Sequence, residues 1–136
     1  MTSAANPALP WSATTVARLN QKLDVIPDAD VGIEDWPAAM SDPELIDAAL
    51  AAYDRPDAQD DDRALVIELL LNTFEFCSIE RDGNPDWRRT LDRIEQDLGQ
   101  HEAAIQRWAE PDDGNPWIIS GALRSLLGRR RIRDVR

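Results

Sequence analysis

The strongest constraint on the fold is an apolar run from Ala64 to Cys77, in which ten of the fourteen residues are apolar. A helix that is apolar nearly all round has to be enclosed by other elements, because it offers water no wide polar face. A buried β-strand is the alternative for part of the run, but the surrounding stretch of roughly 18 residues has no turn signal, and that length favours a helix. The sequence therefore predicts a central helix, in which the residues facing water are Glu68, Asn72, Thr73 and Glu75.

Start signals place three further helices. Ser12 is a candidate N-cap for a helix over about residues 12–24. The tetrapeptide Ser41-Asp42-Pro43-Glu44 matches a capping box, and the helix that it begins is expected to end before Pro56. Asn84-Pro85 fits the N-cap and the first helical position of another helix.

Glycines are expected to end two of the helices after residue 84. Apolar residues from Trp87 to Trp108 recur at alternating spacings of four and three, which indicates a helical seam. Gly99 suits the position just after a helix, so the seam is divided into helices of about 85–98 and 100–109. Gly128 is expected to stop a last helix that begins at Asn115 or Ser120 and ends at Leu127.

These elements predict an all-α fold, a single-domain bundle of five to six helices. Residues 1–10 are expected to form a flexible arm unless Trp11 docks it, residues 11–127 the helical domain, and residues 128–136 a basic tail. Trp36-Pro37 is expected to be an extended or turn step, because the residue before a proline is pushed out of the helical region.

The charge is distributed unevenly along a chain whose net charge is −11. Residues 1–120 carry 25 acidic and 9 basic side chains, whereas residues 121–136 carry six arginines and one aspartate. A field of this kind governs the choice of charged partners rather than the fold. An acidic body that ends in a basic segment is expected to bind a positively charged partner.

The single cysteine, Cys77, excludes a disulfide framework and favours a reducing compartment. The first residues lack the basic and apolar regions of an export signal, and the longest apolar stretch is interrupted by Glu68. We therefore expect a cytoplasmic protein that does not enter a membrane.

Candidates for catalysis or metal binding are few. His101 is the only histidine and lies on the apolar seam, and Cys77 has apolar or acidic neighbours, so both are interpreted as structural residues. The aspartates at positions 57, 60, 61 and 62 lack the ligand spacing, glycine and terminal glutamate of a calcium-binding loop, and are interpreted as the entry of a helix. We predict no enzymatic activity, no cofactor and no metal site.

The chain contains five tryptophans, which are expected to close the edges of the core, with one or two left as contact anchors for a partner. The expected partner surface lies in the segment Ser41 to Glu80, which holds eleven acidic and two basic residues. It comprises Asp54, Asp57, Asp60, Asp61 and Asp62, with Glu68 or Glu75 beside them.

The acidic, all-helical profile resembles bacterial immunity proteins, which protect a cell from polymorphic or contact-delivered toxins. A local sequence pattern is also similar to that of bacterial helical proteins of this sort. It is formed by Trp87, Leu91, Ile94, His101, Ile105, Trp108 and Trp117-Ile118-Ile119. The resemblance implies a small binding protein that neutralises a cognate basic protein, a toxin domain. The alternative is an antitoxin-like or DNA-mimic adaptor that engages nucleic acid through Arg129, Arg130, Arg131 and Arg133.

Overall fold

The computed structural model describes residues 9–111 and 114–134, and for residues 130–134 it describes the backbone alone. This part of the chain is all-α and contains no β-strand, as predicted. It holds seven α-helices, one more than the upper count from the sequence, and a 3₁₀ turn at Pro43–Leu45. The helices are α1 (Ala13–Leu23), α2 (Trp36–Ala39), α3 (Ile46–Tyr53), α4 (Asp60–Phe76), α5 (Pro85–Gln96), α6 (Leu98–Ala109) and α7 (Ser120–Asp134).

Helix α4 is the centre of the fold, as the apolar run predicts. Every residue from Leu65 to Glu75 is buried, and α4 packs against α1, α2, α3, α5 and α6. Each fully buried leucine or isoleucine of this helix contributes roughly 1.5–3 kcal/mol to stability. None of the described helices is both long and apolar enough to cross a bilayer.

The expectation that Glu68, Asn72, Thr73 and Glu75 face water is wrong, because all four are buried. The Asn72 side-chain amide donates to the Glu68 carbonyl and the Thr73 hydroxyl to the Leu69 carbonyl, both at 2.8 Å. The two glutamates find their donors on α6 and on the turn before α7. No buried side-chain nitrogen or oxygen in the described residues lacks a hydrogen-bond partner, so burial costs these polar groups little.

Two of the three predicted helix starts are confirmed. Ser12 caps α1 in a capping box with Thr15, and the Asn84 side chain accepts two backbone N–H bonds at the start of α5. The capping box assigned to Ser41 is wrong: Asp42 accepts the Glu44 N–H at 2.9 Å, while the Ser41 hydroxyl donates to the carbonyl of residue 37. Helix α3 ends before Pro56, as predicted.

The extended step predicted at Trp36-Pro37 is wrong, because these residues begin the short helix α2. A proline in the first turn of a helix sacrifices no hydrogen bond, since its N–H would have no partner there. Trp36 is almost fully buried, and its indole N–H donates to the Asn20 side chain at 2.7 Å. Tertiary packing of this indole outweighs the local preference against a helix before proline.

The predicted division of residues 85–109 into two helices is confirmed, and so is Ser120 as one of the two predicted starts of the last helix, but both glycine stop signals are wrong. Helices α5 and α6 meet at Asp97, which accepts the Tyr53 hydroxyl at 2.5 Å, and Gly99 lies within α6. Gly128 lies within α7, which continues into the arginine-rich segment as far as Asp134. The glycines with positive φ are Gly83 and Gly114, both outside the helices.

Of the predicted arm at residues 1–10, residues 1–8 lie outside the described residues. Leu9 and Pro10 are exposed. The arm is followed by Trp11, which is buried and donates its indole N–H to the Ile33 carbonyl at 2.9 Å. Trp11 therefore fixes the start of the helical domain against the loop that precedes α2.

Candidate functional site

The structure divides the predicted partner surface. Asp54, Asp57 and Asp60 are exposed and Asp61 is half-buried. The other three members of the predicted set are buried: Asp62, Glu68 and Glu75.

Asp61 and Asp62 hold the start of α4 against α1. The Arg18 guanidinium contacts both carboxylates, at 2.9 and 3.0 Å, and the Thr15 hydroxyl donates to Asp61 at 2.6 Å. Partial burial alone would raise the pKa of Asp61, but the Thr15 hydrogen bond and the Arg18 charge outweigh it and lower that pKa. These two carboxylates are therefore engaged within the fold.

Two of the three exposed members of the set are also partly neutralised. Asp54 pairs with Arg93 at 2.5 Å, and Asp57 pairs with Arg55 at 2.9 Å. The hydrogen bond from Arg55 is the main reason why the pKa of Asp57 lies below its usual value. Such exposed pairs contribute little to stability, but each cation reduces the negative field that a partner would meet.

Glu68 and Glu75 hold residues of the neighbouring surface in place from inside the fold. Glu68 accepts the Trp108 indole N–H and an Arg107 N–H, both at 3.0 Å. Glu75 spans the turn before α7 with its two oxygens, which accept the backbone N–H groups of Ile118 and Ile119 at 3.1 Å each. Neither glutamate is placed to meet a partner, but both shape the surface beside them.

That surface is an apolar cluster at the C-terminal end of α4, which we call the aromatic patch: Phe76, Trp117 and Ile118. Their exposed fractions are 55%, 40% and 60%. Trp117 packs edge-on against Phe76, with ring centroids 5.6 Å apart, and tilted against Trp108 at 5.4 Å. Of the five tryptophans, Trp117 is the one that the structure leaves exposed, which fits the predicted role of a contact anchor.

A groove of about 630 Å³ adjoins the aromatic patch. Its walls are formed by residues 80–85, by Trp87 and Arg88, and by Leu91, Ile118 and Ala122. Ile118 therefore belongs to both the patch and the groove. Exposed apolar groups gathered in this way are typical of interaction sites.

A second acidic surface lies outside the predicted set, in the loop between α1 and α2, which we call the acidic loop (residues 24–35). Its five acids are all exposed: Asp24, Asp28, Asp30, Glu34 and Asp35. None of them forms an ion pair with another residue in the described ranges. The loop also presents Ile26, which is 96% exposed.

The acidic loop could have been found from the sequence. From Asp24 to Asp54 the chain has nine acidic residues and no lysine or arginine. A search for dense local clusters favours the aspartates at positions 57–62, whose neighbours include cations. The informative signal is the absence of lysine and arginine from this stretch of sequence, which leaves the carboxylates of the loop without a counter-charge nearby in the chain.

His101 and Cys77 are the two residues considered above for catalysis or metal binding. His101 is buried, and its Nε2 lies 2.7 Å from the hydroxyl of Tyr53. The Tyr53 hydroxyl has one hydrogen, which it donates in its hydrogen bond to Asp97. In the contact between Tyr53 and His101, Nε2 of His101 is therefore the donor. Burial lowers the pKa of His101 and raises that of Tyr53, and burial together with Asp42 raises the pKa of Cys77.

The arginine-rich segment is only partly described. Arg129 lies 3.5 Å from Glu95, while the side chains of Arg130, Arg131 and Arg133 are outside the described residues. Within the described ranges, no three histidine, cysteine, aspartate or glutamate side chains are placed to hold a metal ion. Comparison of the chain with models of protein families, with curated proteins and with solved structures found no match.

Proposed function

We propose that this protein binds a basic protein partner, a toxin domain, and neutralises it in the manner of an immunity protein. The observation that carries this proposal is the acidic loop. It places five exposed carboxylates on one short loop, with no ion pair to the described residues and no basic residue in the same stretch of sequence. A basic partner would supply the missing counter-charges.

Electrostatic complementarity of this kind acts mainly on encounter. A surface of one sign attracts the opposite sign during diffusion and raises the association rate, while it repels wrong partners. The exposed side chain of Ile26 adds apolar contact area within the same loop. The acidic loop can thus supply steering through its carboxylates and desolvated contact through its isoleucine.

The acidic loop is better suited to this role than the surface predicted from the sequence. Asp54 and Asp57 are already paired with arginines, and Asp61 and Asp62 hold two helices together. A partner that used these carboxylates would have to displace their cations. The carboxylates of the loop require no such exchange.

Two triple variants with the same change in net charge compare the two surfaces. The first is Asp28→Lys/Asp30→Lys/Glu34→Lys in the acidic loop. The second is Asp54→Lys/Asp57→Lys/Asp60→Lys in the predicted surface. The partner is the protein encoded by the neighbouring gene, and binding is followed by stopped-flow or surface plasmon resonance.

We expect the variant in the acidic loop to slow association at least about tenfold, and the second variant to slow it much less. Equal slowing would show that only net charge matters, and a larger effect of the second variant would restore the surface predicted from the sequence. A neighbouring gene that encodes a transcription factor would instead favour the adaptor with an arginine-rich helix.

A further inference from the structure

The aromatic patch and its groove form a surface that the proposed function does not use. They are built from the end of α4, the start of α5 and α7. The acidic loop, in contrast, is bound to Trp11, just before α1, through the Trp11–Ile33 hydrogen bond, and α2 after it is bound to α1 through the Trp36–Asn20 hydrogen bond. Exposed apolar groups clustered on a rigid frame are typical of interaction sites.

The patch is held in place before any occupant arrives. Glu75 binds two consecutive backbone N–H groups of the turn that carries Ile118. The hydroxyl of Ser120 accepts the Trp117 N–H at 2.8 Å and donates to the Trp108 carbonyl at 2.6 Å. A surface fixed in this way loses little conformational freedom on binding, which favours affinity.

The charges around the groove indicate what the occupant is. Its lining contains two acids, Glu80 and Asp82, and two bases, Arg81 and Arg88. None of the four forms an ion pair within the described part of the chain. The rim of the groove is therefore neutral overall, in a chain whose net charge is −11.

A strongly basic partner would meet Arg81 and Arg88, and a strongly acidic partner would meet Glu80 and Asp82. A second copy of this chain brings both signs. In a two-fold contact the same patch faces itself, so that each residue of one copy can meet a different residue of the other. We propose that this surface is a homodimer interface, in which the aromatic patch of each copy covers the groove of the other.

The first test is the mass of the purified protein in solution, measured by sedimentation equilibrium from about 1 µM to about 1 mM. We expect a monomer–dimer equilibrium for the wild type. Ile118→Arg should weaken dimerisation at least about tenfold, because it places a charge in the centre of the interface. Ile26→Arg is the matched control, since it makes the same change at an exposed isoleucine of the acidic loop, and it should leave the dimer intact.

The second test uses the mixed rim. Glu80→Arg/Asp82→Arg makes the rim wholly positive, and Arg81→Glu/Arg88→Glu makes it wholly negative. Each variant alone should dimerise at least about tenfold more weakly than the wild type, whereas an equimolar mixture should form a heterodimer, detected by native mass spectrometry. All four side chains are exposed or half-buried, so both variants are expected to fold.

A wild type that remains monomeric across the concentration series would overturn the proposal. So would an Ile118→Arg variant that dimerises like the wild type, or a mixture of rim variants that associates no better than its components. None of these measurements involves the basic partner, so the homodimer can fail while the proposed function stands, and the reverse also holds.

Discussion

Glu75→Ala should destabilise the protein by about 1 to 3 kcal/mol and loosen the aromatic patch. The carboxylate accepts the N–H groups of Ile118 and Ile119, at 3.1 Å each. A hydrogen bond to a charged group contributes about 1.5–3 kcal/mol. The bond to Ile119 is buried and is lost in full, whereas water can replace the partly buried bond to Ile118. Removal of the buried charge itself offsets part of the loss.

Urea unfolding gives the free energy of unfolding, and the fluorescence of the tryptophans reports their exposure to water. Glu75→Gln retains one oxygen acceptor, so it should lose about half as much free energy as the alanine variant. Glu44→Ala is the control, because it removes an exposed glutamate from the 3₁₀ turn. If Glu75→Ala unfolds within about 0.5 kcal/mol of the wild type, the bidentate contact does not hold the turn and the argument for a rigid patch is wrong.

Four further predictions concern buried and half-buried residues. Leu70→Asp should abolish native helical content in circular dichroism, because it buries an unpaired charge in α4; native content and thermal stability would show that α4 is peripheral. Asp62→Asn should lower the free energy of unfolding by about 2 to 3 kcal/mol, because it leaves Arg18 with a weaker acceptor. Urea unfolding measures this change, and an unchanged midpoint would contradict the role of Asp62 between α1 and α4. Burial lowers the pKa of His101, so below about pH 6.5 the unfolded state binds a proton before the folded state does. Stability should be full above about pH 6.5, fall as the pH drops from there to the folded pKa, and level off below it. His101→Gln should remove that part of the slope. Neither His101→Gln nor Cys77→Ala should abolish binding of the partner in a folded variant, and a folded variant that loses function through either change would revive a catalytic interpretation.

Local patterns predict the parts of the fold that depend on neighbours in sequence. The composition of Ala64 to Cys77 is sufficient to place α4 at the centre, and Ser12 and Asn84 cap the helices that their residue types predict. The prediction that Gly99 and Gly128 end helices is wrong, because a glycine of this kind ends a helix where the backbone turns to positive φ. Both glycines keep a helical backbone.

The roles of Glu68 and Glu75 could not be predicted in the same way. Their donors lie 39 to 44 residues away in the chain, on α6 and on the turn before α7. In the sequence both glutamates look like the water-facing residues of an apolar helix. Only the packing of α4 among its neighbours shows that they hold Trp108 and Ile118 from the inside.

The partner surface proposed above differs in position from the one predicted from the sequence. The count of acids alone favours the aspartates at positions 57–62. Three of the five predicted aspartates, Asp54, Asp61 and Asp62, pair with cations from α1 or α5. These pairings depend on tertiary structure, whereas the lack of any base from Asp24 to Asp54 was visible in the sequence.

The most direct test of binding through the acidic loop is the association rate with the basic partner as a function of ionic strength. The loop carries exposed charges, which salt screens over a Debye length of about 10 Å at 0.1 M and about 3 Å at 1 M. The wild-type association rate should fall at least about tenfold between low and high salt, while the dissociation rate changes much less. Asp28→Lys/Asp30→Lys/Glu34→Lys should flatten this dependence. A wild-type association rate that does not change with salt, or a variant with the same salt dependence as the wild type, would contradict binding through the acidic loop.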